Sequence, residues 1–239
     1  MNEQANSYKP TARIAGVLYL VIIICAGFSE GFVRSSLIVP GDAAATANNI
    51  LTSEWLFRLG FVSDLAAFMS DAVVAVLFYV LLKPVSKTLA MIAASLRLVA
   101  HPAIAGINML NHFTALSLIS GSDYLAVFPT DQLQALVLLF LDAHNTGYLI
   151  AGAFFGLHLF FLGYLFFKSE LFPGVLGILV IIASAGYLLE SFGVFLFPAY
   201  EQLFAWIVGL TAVIGEVSLT FWLLIKGVKG QPSVSTEAG

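Results

Sequence analysis

Long apolar runs dominate this sequence and constrain its fold more than any other feature. A helix needs about 20 mostly apolar residues to cross the hydrocarbon core of a bilayer. We predict six transmembrane helices, at residues 14–28, 57–82, 88–118, 143–167, 172–197 and 203–225. Only 10% of the residues are charged and 60% are hydrophobic, which is too little charge to cover a soluble surface. The sequence therefore predicts an all-α, polytopic membrane helix bundle.

The first apolar run is shorter than the others and has the length of a signal peptide core. We interpret it as an uncleaved first helix, and cleavage near its end is the alternative. Cleavage would leave the order of the later helices unchanged.

Lysine and arginine are distributed unequally between the two sets of loops. One set carries only Arg34 and Arg58, and the other carries Lys9, Arg13, Lys83, Lys87, Lys168, Lys226 and Lys229. Loops rich in Lys and Arg face the cytoplasm. We therefore predict an N-in, C-in topology, with cytoplasmic tails at residues 1–10 and 229–239 and one transmembrane domain at residues 11–228.

Two helix starts are predicted from capping residues. Asp42 is expected to cap a short helix over residues 43–51. Residues 131–167 resemble one continuous helix, but at about 1.5 Å per residue it would exceed the bilayer thickness. We therefore divide it into an interfacial or protruding helix over residues 131–141, capped by Asp131, and a fourth span.

Several ionisable residues lie inside the predicted spans, where they are costly and usually face the bundle interior. Arg97, His158 and Glu216 each lie ten residues from the basic residue at the cytoplasmic end of their span, and Asp71 lies twelve away. Ten helical residues cover about 15 Å, half of the hydrocarbon core. Together with His101, on the same helix face as Arg97, these residues form a predicted midplane polar cluster.

This cluster has two interpretations. In the structural one, Arg97 pairs with Asp71 or Glu216 and holds helices together. In the functional one, the cluster is a binding site or proton path, and Glu216 or Asp71 exchanges the proton.

A second set of residues is predicted to form an outer polar layer that lines a cavity open to the outside, namely Asp64, His112, His144 and Glu190.

The four histidines lie in or beside two spans, which makes them candidates for cofactor ligands. The fourteen-residue spacing of His144 and His158 suits stacked haems, but the eleven-residue spacing of His101 and His112 matches it poorly. Haem ligation by these four residues is therefore only an alternative, and no cofactor is predicted. No metal site is predicted either, because the chain has a single cysteine and lacks an HExxH motif.

The expected partner is the lipid bilayer, with a small-molecule ligand. Nucleic acid is not expected, because the basic residues form no tract. The pairs Gly27/Gly31 and Gly152/Gly156 allow close helix packing, which we assign to contacts within one chain. A homo-oligomer contact through these Gly-x-x-x-Gly faces is the alternative.

Three segments resemble a known family in their order along the chain. They are FVRSSLIVPGDAAATA at residues 32–47, LFRLGFVSD at residues 56–64 and GYLFFKSELFPGVLG at residues 163–177. The sequence is similar to a bacterial multi-pass membrane family known as a domain of unknown function, DUF4386, over about residues 10–228. The resemblance implies the bacterial cytoplasmic membrane and the same helix number, and it implies no activity.

The leading functional prediction is small-molecule binding or transport through an outward-opening polar cavity that reaches Arg97, Asp71 and Glu216. The alternatives are an intramembrane redox or haem protein or another membrane enzyme, and a non-catalytic subunit of a membrane complex. The chain lacks a P-loop, and its Gly-x-Ser-x-Gly stretch at residues 27–31 lies at the end of the first predicted helix instead of following a strand, which favours a protein that is not an enzyme.

Overall fold

The computed structural model describes residues 2–229, and that part of the chain is helical without a strand. The α-helices are Asn2–Phe28, Ser35–Leu37, Ala43–Thr52, Glu54–Leu82, Lys87–Ser95, His101–Ile119, Thr130–Lys168, Gly174–Leu196, Glu201–Ala212 and Ser218–Ile225. Three π-helical segments continue α-helices without a break, at Ser29–Arg34, Leu96–Ala100 and Val213–Val217. Short 3-10 turns lie at Asp123–Leu125 and Pro198–Tyr200.

Six of the resulting helices are long and apolar enough to cross a membrane. We call them spans 1 to 6, at Ser7–Leu37, Glu54–Leu82, Lys87–Ile119, Thr130–Lys168, Gly174–Leu196 and Pro198–Ile225. Their outer surfaces expose large apolar side chains such as Trp55, Met69 and Leu110. A soluble domain would bury such side chains, so the surface suits lipid. The predicted all-α polytopic bundle with six spans is confirmed.

The start of span 1 and the end of span 6 lie at the same end of the bundle. Gly227 packs beside the side chain of Lys9, and the backbone N–H of Lys229 donates to the carbonyl oxygen of Leu171 at 2.8 Å. The loop between spans 4 and 5 therefore lies at the same end of the bundle as the start of span 1 and the end of span 6. The tail predicted at residues 229–239 lies outside the described residues from residue 230 onwards.

The boundaries differ from expectation in two places. The first helix already begins at Asn2, among residues expected to form a tail. The predicted division of residues 131–167 is wrong, because Thr130–Lys168 is one continuous helix of 39 residues. Pro129 precedes that helix, and Asp131 lies in its first turn without capping it. The cap at Asp42 is confirmed, since its carboxylate accepts from the backbone N–H of Ala45 at 2.9 Å.

Glycines allow spans 4 and 5 to pack with their backbones nearly touching. A β-carbon on Gly163 would lie 2.7 Å from the carbonyl oxygen of Gly177, so neither position accepts a side chain. Further along this contact, a β-carbon on Gly156 would lie 2.9 Å from Cγ of the Leu188 side chain. The face of Gly27 and Gly31, in contrast, is open, because a β-carbon on either residue would have no other atom within 4 Å.

Candidate functional site

Two groups of polar side chains are buried between the spans. The first, called the Arg97 cluster, contains Arg97, Asp71, His101, His158, Glu216, Tyr19 and Tyr187. The second, called the Arg34 cluster, consists of the half-buried Tyr148, the exposed Glu30 and the buried residues Arg34, Asp64, Ser29, His112 and His144. Both draw on several spans, so the packing of the bundle positions their members.

An ion pair between Arg97 and Asp71 lies at the centre of the Arg97 cluster. Arg97 is fully buried, and its Nε donates to Asp71 Oδ1 at 2.8 Å, while its Nη2 contacts the same oxygen. The two residues come from spans 3 and 2. A charge in this position needs a partner, because desolvation makes an isolated buried charge very unfavourable.

Two histidines complete the hydrogen bonds of this ion pair. His101 Nδ1 lies 2.8 Å from Asp71 Oδ2 and is the donor to this carboxylate. His158 Nδ1 lies 2.8 Å from the carbonyl oxygen of Ala93, so it carries a proton as the donor. Its Nε2 is then the acceptor for Arg97 Nη1 at 3.3 Å. The surrounding partners thus assign one neutral tautomer to His158.

Glu216 does not pair with Arg97 directly. Its two carboxylate oxygens accept from the hydroxyls of Tyr19 at 2.8 Å and Tyr187 at 2.7 Å. The guanidinium of Arg97 lies over the rings of Tyr19, at 4.8 Å, and Phe155, at 5.0 Å. Tyr19 therefore lies between Arg97 and Glu216, where its ring contacts the guanidinium and its hydroxyl donates to the carboxylate.

The Arg34 cluster is organised by a second buried guanidinium. Arg34 Nη1 donates to Asp64 Oδ2 at 2.6 Å and to Ser29 Oγ at 2.8 Å, and its Nε donates to Glu30 at 2.7 Å. Nη2 reaches the hydroxyl of Tyr148 at 3.4 Å. Arg34 thus joins spans 1, 2 and 4, and it compensates the charge of the fully buried Asp64.

The two histidines of the Arg34 cluster lie beside Asp64 with unused polar atoms. One ligand atom from each of Asp64, His112 and His144 lies within 4.8 Å of the others. His144 Nδ1 donates to the carbonyl oxygen of Asn108 at 2.8 Å, which leaves its Nε2 without a hydrogen-bond partner. Both ring nitrogens of His112 and Oδ1 of Asp64 also lack a partner.

A polar cavity of about 610 Å³ opens next to the Arg34 cluster. Its lining includes Glu30, Arg34 and His144 from the cluster. The remaining polar lining is Ser35, Asp142, Asn145, Glu201 and Gln202. Arg97, Asp71 and Glu216 do not line this cavity.

Each π-helical segment carries a charged member of a cluster. Glu30 and Arg34 lie in the first, Arg97 in the second and Glu216 in the third. The second ends just before Pro102, which has no N–H to donate to the preceding turn. π-Helical turns are rare and frequently occur at functional sites. Their coincidence with the charged residues therefore indicates that both clusters are candidate functional sites.

The residues predicted from the sequence are thus divided between two clusters. The predicted midplane residues all belong to the Arg97 cluster, with Glu216 attached through tyrosine. Asp64, His112 and His144 of the outer layer come together in the Arg34 cluster, whereas Glu190 is half-buried outside it. Sequence reasoning missed Tyr19 and Tyr148, because a tyrosine in an apolar run carries no signal that distinguishes it from a packing residue.

The six apolar helices and the two buried polar clusters define an all-α, multi-pass membrane protein. The chain belongs to the family described as "Domain of unknown function (DUF4386)", whose model matches residues 14–227. A relative from Archaeoglobus fulgidus, described as "Uncharacterized protein", is 35% identical over 167 residues, which cover 70% of this chain and 82% of the relative. No solved structure matches the chain.

Proposed function

We propose that this protein resides in a bacterial cytoplasmic membrane with both ends in the cytoplasm, and that it binds a small cationic molecule from the outer side. The observation that carries this proposal is the acidic cavity beside the Arg34 cluster. The proposed N-in, C-in orientation rests on the basic residues, because Lys9 and Lys229 lie at the same end of the bundle. The cavity lies at the other end, since its lining includes Pro40 just after span 1 and Glu201 near the start of span 6.

The size of the cavity suits a small ligand. Ligand pockets commonly have volumes of about 300–1,000 Å³ and contain a few convergent polar groups. The volume of about 610 Å³ falls within this range. The wall contains carboxylate, guanidinium, imidazole and amide groups, which together fix the orientation of a polar ligand better than an apolar wall could.

The charge of the lining favours a cation. Glu30, Asp142 and Glu201 line the cavity against the single guanidinium of Arg34. Arg34 is already paired with Asp64 and Glu30. Among residues 2–229, neither Asp142 nor Glu201 has an ion-pair partner, so their charges are available to a ligand. A cleft lined by one sign of charge concentrates ions of the opposite sign.

Ligand-induced stabilisation tests this proposal. The purified protein is heated in detergent with guanidinium, choline or putrescine as the chloride salt, at constant ionic strength, with lactate and glucose as anionic and neutral comparisons. A ligand at a hundred times its Kd stabilises by about 2.7 kcal/mol, so a bound cation raises the melting temperature by several degrees.

The variants Asp142→Asn and Glu201→Gln should abolish this shift, because they remove the unpaired carboxylates. Glu170→Gln is the matched control, since Glu170 is exposed and does not line the cavity. An equal shift in all variants, or stabilisation by lactate or glucose alone, would contradict the proposal. Uptake of the same cation into vesicles containing the protein would separate transport from binding.

A further inference from the structure

We infer that Asp64, His112 and His144 form a binding site for a divalent transition metal ion. The inference goes beyond the proposed binding of an organic cation, because it rests on three side chains of which only His144 also lines the cavity. The three ligands come from spans 2, 3 and 4, so a bound ion would tie these helices together.

The unused polar atoms are the first argument. Asp64, His112 and His144 are each about 1% exposed. Nevertheless Asp64 Oδ1, His144 Nε2 and both ring nitrogens of His112 have no hydrogen-bond partner. A buried polar atom without a partner costs roughly 1–3 kcal/mol, so the unpartnered atoms of these three neighbouring residues need an explanation. A shared metal ion would satisfy one atom of each residue at once.

The second argument is that other residues already orient the ligands. His144 Nδ1 donates to the carbonyl oxygen of Asn108 at 2.8 Å, which leaves the lone pair of Nε2 free. A metal-bound histidine almost always makes such a bond through its other nitrogen. Asp64 is held at Oδ2 by Arg34 at 2.6 Å, so the free oxygen is the one available to an ion.

The ring of His112 is also held in place. It stacks on Phe57 with a centroid distance of 4.1 Å, and it meets the ring of His144 edge to face at 5.2 Å. With two orienting hydrogen bonds and one stacked ring, each of the three ligands has a fixed support. Hydrogen bonds that orient the histidine and carboxylate ligands in this way are typical of metal sites.

The donor set indicates the class of ion. Two imidazoles and one carboxylate suit Zn²⁺, Fe²⁺ or Co²⁺ rather than the all-oxygen ions Ca²⁺ and Mg²⁺. Ligand atoms around a tetrahedral zinc ion are about 3.4 Å apart, given bonds of about 2.1 Å. Since the three atoms now lie within 4.8 Å, closing on an ion requires small side-chain movements. Three protein ligands would leave one position of a tetrahedral ion open, and His144 also lines the cavity.

Metal titration of the intact protein tests the inference. The protein is purified in detergent through a tag without histidines, treated with a chelator and titrated with Co²⁺ or Zn²⁺. The expected result is one ion per chain, with the visible absorption of a Co²⁺ site and a higher melting temperature. His112→Ala and His144→Ala should each weaken Co²⁺ binding by at least about tenfold, since outer-shell changes alone cost 10–100-fold.

His101→Gln is the matched control, because it removes an imidazole from the Arg97 cluster and should leave Co²⁺ binding unchanged. His112→Cys guards against variants that fail to fold. It exchanges one ligand type for another, so it should keep the ion and add a thiolate-to-Co²⁺ charge-transfer band. Glu201→Gln should also keep Co²⁺ binding at moderate salt, which separates this site from the proposed organic cation site.

Three results would overturn the inference. The first is wild-type protein that binds no more Co²⁺ or Zn²⁺ than the double variant His112→Ala/His144→Ala. The second is unchanged affinity in both single alanine variants. The third is a well-folded His112→Cys protein without the charge-transfer band, in which case ordered water alone satisfies the unused atoms.

Discussion

Neutralising Asp71 should destabilise the protein more than any comparable change of a surface carboxylate. Arg97 is fully buried, and two of its three guanidinium nitrogens contact Asp71. In Asp71→Asn the guanidinium would lose the negative charge that it pairs with, because an amide oxygen can accept a hydrogen bond but carries no charge, and its remaining contacts are with His158 and two aromatic rings. Removing one partner of a buried ion pair costs about 3–5 kcal/mol. For a chain of this size that corresponds to a melting temperature lower by roughly 6–20 °C.

The assay is a double-mutant cycle in detergent, followed by melting and by unfolding in a denaturing detergent. Arg97→Met should also be destabilising, and the double variant Arg97→Met/Asp71→Asn should lose much less than the sum of the two, because no unpaired charge remains. The exposed pair of Glu54 and Arg58 is the matched control, and Glu54→Gln should cost less than about 1 kcal/mol. If Asp71→Asn costs no more than Glu54→Gln, or if the two single effects simply add, the reasoning about this pair is refuted.

Two other changes test the packing and the tyrosine pair. Gly177→Leu should destabilise the protein by at least about 1–3 kcal/mol, because a β-carbon there would lie 2.5 Å from the carbonyl oxygen of Gly163. Gly209→Ala is the control in the same melting assay and should be tolerated, because a β-carbon on Gly209 meets no atom within 4 Å. Tyr19→Phe should lower the free energy of unfolding by about 1.5–3 kcal/mol, because Glu216 loses a hydroxyl donor while the ring next to the guanidinium is retained. A melting temperature equal to that of the wild type would argue against this hydrogen bond.

The helix class and number could be read from the sequence because hydropathy alone determines them. A run of apolar residues long enough to span a bilayer has few alternatives, since every backbone polar group must be satisfied within the helix. The cap at Asp42 was equally accessible, because it depends on residues three positions apart. Local signals of this kind do not require knowledge of the tertiary structure.

The length of span 4 could not be read in the same way. Bilayer thickness limits the part of a helix that lies in lipid, but it does not end the helix. Residues 131–142 contain neither glycine nor proline, so nothing in them interrupts the backbone hydrogen bonds. The helix therefore continues past the thickness of the hydrocarbon core as one element.

The candidate sites were only partly predictable, because depth along a span is local while the order of helices around the bundle is not. Counting residues from the lysines at the span ends predicts that Arg97, Asp71 and His158 lie at the same depth in the bilayer. It does not indicate that Tyr19 stands between Arg97 and Glu216. No metal signature is visible in the sequence either, since Asp64, His112 and His144 lie on three spans and have no characteristic spacing.

The π-helical segments have a consequence for comparing members of this family. One residue added to a helical turn advances everything after it by about 1.5 Å and rotates it by about 100°. In span 3 such a turn, Leu96–Ala100, precedes Asn108 and His112. Two relatives with the same hydropathy profile can therefore share all six helices and still direct different side chains between them. When two such relatives are aligned, a one-residue gap inside a span indicates that different side chains face the bundle interior beyond it, even where the fold is the same.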